Sequence, residues 1–338
     1  MEKNILIRMP NWLGDAVMGT PVIEDVRKNW PEANITVMCQ GSVHSLLLGN
    51  PHIDEIFSFS RPNEFLRREE RRNIIARLQQ GKYDLGILLP NSFSSAWWLW
   101  RGDVKRRIGF RNDFRSFLLT DPLPFPKERG KEHLVNTYKR HLSPLGIPLS
   151  NTDPALYVTE KERKAISTLF SQYEIPLDAK IVGINPGAAY GTAKCWLPER
   201  FHEVTKKLLA DPTVYVLYFG DATGSSLVES ICDELPPSRV FNLAGKTNLR
   251  ELLALIQRCN AFLTNDSGPM HIAAALKTPL VALFGSTNDV ATGPYKHGVV
   301  IHKHVECSPC YKRVCPIDFR CMKRIESDEV YETLKKLL

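Results

Sequence analysis

Apolar runs of six to eight residues recur along this chain. Between them lie longer stretches in which apolar residues return at every third or fourth position. The runs are NILIRM (4–9), NITVMC (34–39), IDEIFSF (53–59) and YDLGILLP (83–90), then IVGINP (181–186), VYVLYFG (214–220), VFNLAG (240–245), NAFLTN (260–265) and PLVALFG (279–285). Each is short and bounded by turn residues, which predicts a buried strand. TPVIEDVRKNWP (20–31), PERFHEVTKKLLAD (198–211) and LRELLALIQRC (249–259) carry the helical period instead. Strands alternating with helices predict parallel sheets joined by right-handed crossovers. The series runs twice, separated by the Pro-rich and polar stretch LSPLGIPLSNTDPALYVTEKE (142–162). The expected architecture is α/β: two doubly wound, Rossmann-like domains over residues 1–155 and 156–322, facing a central cleft. A last helix, DEVYETLKKLL, within 323–338 has room to return to the first domain. A length of 338 residues suits two domains.

In such sheets ligands bind beyond the carboxyl ends of the strands, and three loops there carry candidate chemistry. In RMPNWLGDAVMGTP (8–21), Gly14 and Gly19-Thr20 have P-loop spacing, but Pro21 stands beside them and the phosphate-binding Lys is missing, which excludes that class of ATPase. Asp15 opens a helix there, as a cap or as a general base. In NPGAAYGTAKCWLPERF (185–201), Gly187, Ala188, Gly191 and Ala193 let a ligand approach the backbone, and Lys194 supplies a charge suited to diphosphate. In TNDSGPMHIAAAL (264–276), a strand runs through a tight turn into a helix with Ser267 or Gly268 at its N-cap and Pro269 in its first turn. Such a helix start attracts phosphate. Asp266 and His271 either line that site or serve as a cap and a surface residue. No G-x-G-x-x-G occurs, which weighs against a nicotinamide-dependent oxidoreductase.

Charge changes this picture in one place. The chain carries +7 overall, yet residues 61–140 carry +9 and the remainder −2. One side is therefore expected to meet an anionic partner. RPNEFLRREERRNIIARLQQ (61–80) has the mixed pattern of a solvated helix, whereas RGDVKRRIGFRNDFR (101–115) places an Arg cluster in an expected loop. No aromatic-rich basic module of the RNA-binding kinds is present, so nucleic acid is not expected. No apolar run reaches 18 residues, and the first residues lack a signal-peptide core, which points to a cytoplasmic chain. SSAWWLW (94–100) is expected as a core-packed helix. Of eight cysteines, Cys307, Cys310, Cys315 and Cys321 form C-x2-C-x4-C-x5-C, a candidate structural zinc site or else reduced thiols packing a loop.

GDAVMGTP, PGAAYGTAKCWLP, NLAGKTNLRELLALI and TNDSGPMHIAAAL followed by PLVALFGSTN together resemble the ADP-heptose:lipopolysaccharide heptosyltransferases, inverting glycosyltransferases of the GT-B group. The resemblance covers nearly the whole chain. It implies transfer of L-glycero-D-manno-heptose from ADP-heptose to an already heptosylated inner core (Kdo–lipid A–heptose), with no cofactor or metal required for catalysis. It also implies work at the cytoplasmic face of the inner membrane, with peripheral contact. The family's base falls on Asp15. Its diphosphate Lys falls on Lys194 and its acid–small–Gly…His run on Asp266, Ser267, Gly268 and His271; Gly187, Ala188, Ala189 and Tyr190 are the further donor-binding candidates. Acceptors bearing carboxylates and phosphates would meet the first domain, where Asn11, Gly14, Arg106, Arg107 and Arg111 are the candidates. Some relatives read the nucleoside with a Glu where this chain has only Asp221 nearby. The alternatives are a related transferase using another nucleotide sugar or acceptor, and a non-enzymatic nucleotide-sugar-binding protein.

Overall fold

The apolar runs become strands of two parallel sheets. A computed structural model describes residues 3–60, 67–126 and 130–338, and the chain divides after Leu156 into two compact units. The first unit runs β1 (Asn4–Arg8), α1 (Leu13–Asn29), β2 (Asn34–Gln40), α2 (Val43–Leu47), β3 (Glu55–Phe59), α3 (Arg67–Gly81), β4 (Leu85–Leu88), α4 (Phe93–Arg101), β5 (Arg106–Phe110), β6 (Asp121–Leu123) and α5 (Leu134–Lys139). Its strands lie in the order β3-β2-β1-β4-β5-β6, all parallel.

The second unit runs α6 (Glu160–Gln172), β7 (Lys180–Asn185), α7 (Pro198–Leu208), β8 (Val214–Tyr218), α8 (Ser225–Cys232), β9 (Val240–Asn242) and α9 (Leu249–Arg258). It continues with β10 (Ala261–Asn265), α10 (Gly268–Ala275), β11 (Leu280–Phe284), α11 (Asp289–Thr292), β12 (Val299–His302), α12 (Arg320–Lys323) and α13 (Ser327–Lys335). Its order, β12-β11-β10-β7-β8-β9, repeats the first unit's arrangement, again wholly parallel.

Helices cover such sheets on both faces, so central strands are apolar throughout rather than alternating. Ile5, Leu6 and Ile7 of β1 are fully buried, as is all of β10 from Ala261 to Asn265. Local signals set the helices. Thr159 and Glu162 close a capping box on α6, and Asn248 and Glu251 close another on α9. Pro21 lies inside α1, where it cannot donate to the Val17 carbonyl. The Thr20 hydroxyl donates to that carbonyl at 2.8 Å and accepts from the Ala155 amide at 3.1 Å.

Some expectations change. Strands β5, β6 and β12 are additional to the nine apolar runs, because β6 has three residues and β5 opens with two arginines, RRIGF. The Arg cluster expected in a loop thus begins on a strand. Helix α13 packs within the second unit: Val330 and Leu334 are fully buried in its core with Phe201 and Ile301. The apolar face of DEVYETLKKLL finds its partner there, and Trp196 Nε1 donates to the Ile325 carbonyl at 3.1 Å just before it. In α4, Ala96, Trp98 and Leu99 are buried, with Trp98 edge-on to Phe59 at 5.2 Å, but Trp100 is exposed. Of the charged run 61–80, the first six residues lie outside the described residues, and Arg67 onward is helical. Among the described residues no helix is long and apolar enough to cross a membrane.

His141 is fully buried in the first unit, its Nδ1 2.9 Å from the Tyr138 carbonyl, and burial pushes its pKa down to about 4. An unfolded chain takes up this proton near pH 6.5, whereas the folded chain resists it. Stability is therefore retained above about pH 6.5 and falls as the pH drops toward 4, by about 1.4 kcal/mol per pH unit at most. Denaturant unfolding of the wild type and His141→Gln at pH 7, 5.5 and 4.5 checks this. The difference between them should shrink by that slope as the pH falls, and a pH-independent difference would remove His141 from the acid response.

Candidate active site

In each unit the strand order reverses about its first strand, so the connections part at the carboxyl ends of β1 and β4, and of β7 and β10. The second unit's loops at that point are bound together by two asparagines that end their strands. Asn265 Nδ2 donates to the Pro186 carbonyl at 2.6 Å, and its Oδ1 accepts from the Trp196 amide at 3.0 Å. Asn185 Nδ2 donates to the Gly187 carbonyl at 3.0 Å and reaches Ser267 Oγ at 3.4 Å. Ser267 is the N-cap of α10, but its side chain makes no capping bond; Oγ shares a 3.0 Å bond with the Thr264 hydroxyl instead. The first-turn amides of α10 are thus left without a side-chain cap, the arrangement in which a helix N-terminus holds an anion.

Asp266 does not cap this helix. Its Oδ2 accepts from the Thr287 hydroxyl at 2.6 Å and pairs with Lys194 Nζ at 2.5 Å. Asp266 is 4% exposed and the Lys194 side chain 14%, so the pair is largely withdrawn from water. Lys194 also lies over the Tyr190 ring at 4.9 Å. His271 is buried in the first turn of α10, beside Gly268 at its start. A side chain at Gly187 would meet nothing within 4 Å, so this stretch of backbone is open to approach. Ala188 is half-buried, and Ala189 and Tyr190 are exposed on the same loop. Asp221 is occupied locally, accepting from the Gly224 amide at 2.9 Å and the Thr223 hydroxyl at 2.6 Å.

At the corresponding point of the first unit, Asn11, Gly14 and Asp15 follow β1. The buried Arg8 guanidinium donates to the Met9 carbonyl and to Asn11 Oδ1, the latter at 2.6 Å. Burial lowers its pKa to about 10. Gly14 and Asp15 lie in the first turn of α1, and the Tyr138 hydroxyl donates to Asp15 Oδ1 at 3.1 Å. Burial and the neighbouring carboxylate hold this phenol well above its ordinary pKa, so it stays a donor. Arg115, fully buried, donates to the carbonyls of Phe110, Pro90 and Ser92 at 3.0, 2.6 and 3.2 Å, joining the ends of β4 and β5.

The acceptor arginines separate. Arg106 and Arg107 stand at the amino end of β5, away from the carboxyl ends of the strands. Arg106 pairs with Asp121 at 2.8 Å and donates to the Pro144 carbonyl at 2.9 Å. Arg107 donates to the carbonyls of Leu118 and Val104 at 2.7 and 2.5 Å. Both bind the strand's own surroundings. Arg111 follows the carboxyl end of β5 and is exposed, with a 3.3 Å bond to the Pro122 carbonyl. Pattern reading missed Arg8, Asn185, Arg115, Tyr138, Asn265 and Thr287. The two asparagines and Arg8 did leave a signal, as polar residues closing apolar runs.

Cys307, Cys310, Cys315 and Cys321 line one cavity of about 240 Å³. Burial pushes the Cys321 thiol up, and the other three thiols add to this through charge.

Two doubly wound units, one with an uncapped helix start near a buried lysine, the other with a carboxylate at a helix start, have the GT-B architecture of glycosyltransferases. The family model described as glycosyltransferase family 9 (heptosyltransferase) matches residues 71–319, and the chain belongs to that family. It is 32% identical to lipopolysaccharide heptosyltransferase 2 of Escherichia coli (strain K12), over 87% of this chain and 86% of that one. The solved structure of E. coli ADP-heptose lps heptosyltransferase II superposes with a TM-score of 0.83 at 30% identity, covering 99% of this chain and 98% of that one. The glycosyl transferase family 9 structure from Veillonella parvula DSM 2008 has the same fold, with a TM-score of 0.88 at 23% identity over 99% and 97% of the two chains.

Lys194→Met leaves the buried Asp266 carboxylate its bond from Thr287 and no counter-charge among the described residues, and a broken buried pair costs about 3–5 kcal/mol. Adding Asp266→Asn removes the stranded charge, so the double variant should recover most of that loss. Denaturant midpoints of the two variants check this; equal midpoints would mean that the pair is screened by solvent.

Proposed function

We propose that this chain is an inverting transferase that moves heptose from ADP-heptose to the heptosylated inner core of lipopolysaccharide. The observation that carries this reading is the second unit's pair of loops, in which an uncapped α10 N-terminus stands with Lys194, Asp266 and His271. Similarity to heptosyltransferase 2 over most of both chains supplies the sugar and the acceptor.

The acceptor oxygen forms a bond to the anomeric carbon while the bond from that carbon to the diphosphate oxygen breaks, its electron pair leaving with ADP. Attack comes from the face opposite the leaving group, so the configuration inverts. Asp15 takes the acceptor hydroxyl's proton. The Tyr138 hydroxyl donates to Asp15 Oδ1, which orients the carboxylate. Negative charge growing on ADP is met by the α10 amides, by Lys194 and by His271, fixed dipoles and charges that need no reorganisation during the step. Gly187, Ala188, Ala189 and Tyr190 line the diphosphate, with Ser267 and Gly268 at the helix start. Asn11, Gly14 and Arg111 are the acceptor's contacts on the first unit.

We also assign the chain to the cytoplasmic face of the inner membrane. Phe114 and Phe117 are 95% and 75% exposed, and Phe93 and Phe117 lie 6.3 Å apart between ring centres. Aromatic side chains on a basic segment suit a lipid headgroup boundary.

ADP release from ADP-heptose should require a deacylated inner-core acceptor already bearing one heptose. Release only with a heptose-free acceptor would assign an earlier transfer step, and release with neither would remove the donor assignment. Asp15→Asn should lower turnover by about 10²–10⁴-fold while ADP affinity stays within about twofold; unchanged turnover would exclude Asp15 as the base. The pair Phe114→Ser and Phe117→Ser should lose sedimentation with anionic vesicles and keep turnover on the deacylated acceptor. Retained sedimentation would place membrane contact elsewhere.

A further inference from the structure

The cysteine segment is packed directly onto the proposed donor loop. The Ala193 amide donates to the Arg313 carbonyl at 3.0 Å, and the Tyr190 hydroxyl donates to the Tyr311 carbonyl at 2.9 Å. The Arg313 guanidinium lies over the Tyr190 ring at 5.4 Å. Gly191 has φ +153°, and a Cβ there would stand 2.3 Å from the Arg313 carbonyl oxygen, so the two backbones meet where only glycine fits. Tyr311 and Arg313 lie between Cys310 and Cys315, so whatever shapes this turn also shapes the Tyr190–Lys194 loop.

We propose that Cys307, Cys310, Cys315 and Cys321 bind one thiolate-seeking metal ion, Zn²⁺ or Fe²⁺, and that this ion holds the turn that braces the donor loop. All four cysteines line the same cavity of about 240 Å³. Ser286, 2% exposed, lines that cavity too, and its hydroxyl has no partner among the described residues, an orphaned polar atom aimed at a ligand position. Gly285 allows Cys321 Sγ to approach the chain, since a Cβ there would lie 2.9 Å from the sulfur.

The loop is also braced from outside. Asp289 Oδ1 is 3.0 Å from His302 Nδ1, His302 Nε2 is 2.8 Å from Ser308 Oγ, and Ser308 donates to the Gly285 carbonyl. Both His302 nitrogens are thereby engaged. Asp289, His302 and His304 bring ligand atoms within 4.8 Å of one another, and of these His302 holds Ser308, which lies between Cys307 and Cys310. Among the described residues the four sulfurs do not form so tight a group. Binding draws them to the spacing of a tetrahedral site, with metal–sulfur bonds of about 2.3 Å for zinc, through the exposed Cys307 and the turn that follows. Four thiols release four protons as the ion binds, leaving a site of charge −2 beside Lys312 and Arg320.

The metal site stands independently of the transfer reaction; its coupling to donor binding rests on the function proposed above. Elemental analysis of the full-length protein, expressed with zinc and iron supplied, should find about one zinc or iron per chain, and iron would be distinguished by its thiolate-to-metal absorption. Cys310→Ser with Cys315→Ser should lower this below about a tenth. Chelator-stripped wild type should regain about one equivalent when titrated with Zn²⁺ alone, with four fewer thiols reactive toward a thiol reagent. Metal-free protein whose four tail thiols all titrate, or metal retained by the double variant, would overturn the site. Stripping should raise the dissociation constant for ADP about tenfold, in the range found for losses around metal sites, and Zn²⁺ should restore it. Unchanged ADP affinity in stripped, folded protein would overturn the coupling while leaving the metal count to stand. Absence of ADP binding in the metal-loaded protein would instead overturn the donor assignment.

Discussion

In a parallel sheet each strand must be re-entered from the same end, so the chain leaves every strand at its carboxyl edge and returns over one face. Where the strand order reverses, two neighbouring connections depart in opposite directions and neither helix covers the ends of the strands between them. Both sheets of this chain have that reversal, between β1 and β4 and between β7 and β10. The residues with chemistry gather at those ends because backbone amides and carbonyls there have lost their ladder partners and still need polar company.

The two units solve this requirement differently. In the first, the groups in excess are carbonyls, and buried guanidiniums satisfy them: Arg8 at the end of β1, Arg115 at the ends of β4 and β5. Burial lowers the pKa of each to about 10, so both remain charged. They set the loops on which Asn11 and the start of α1 stand. In the second unit the N-cap Ser267 makes no side-chain bond to the start of α10, and Asn185 and Asn265 tie the flanking loops. A helix start kept uncapped is destabilising by itself, since side-chain capping contributes about 1 kcal/mol.

The Lys194–Asp266 pair follows the same reasoning. An ion pair this withdrawn from water is weak support for stability, because desolvation consumes most of its attraction. Its effect is geometric: Thr287 and Lys194 hold the carboxylate, and the carboxylate holds the lysine within reach of the α10 N-terminus. The lysine's loop is pinned from its other side by the Tyr311–Arg313 turn. Two separate restraints therefore converge on one flexible side chain.

The sequence determined what short-range physics controls. Continuous apolar runs specify strands buried on both faces, Gly and Pro mark where those runs turn, and the Ser267–Pro269 start of α10 is a matter of adjacent residues. The loops carrying Asp15, Lys194 and His271 were legible for that reason, as was the spacing of the four cysteines. Partnerships across long separations were decided by the tertiary structure alone. Tyr138 reaches Asp15 across 123 residues. Arg106, read as a free cation in a loop, meets Asp121 and Pro144 because β5 and β6 pair. The last helix settled on the second unit's core because Val330 and Leu334 found an open apolar surface there. A charge or an apolar face looks the same in sequence whether it is solvated or matched. Only the fold brings up the partner that distinguishes the two.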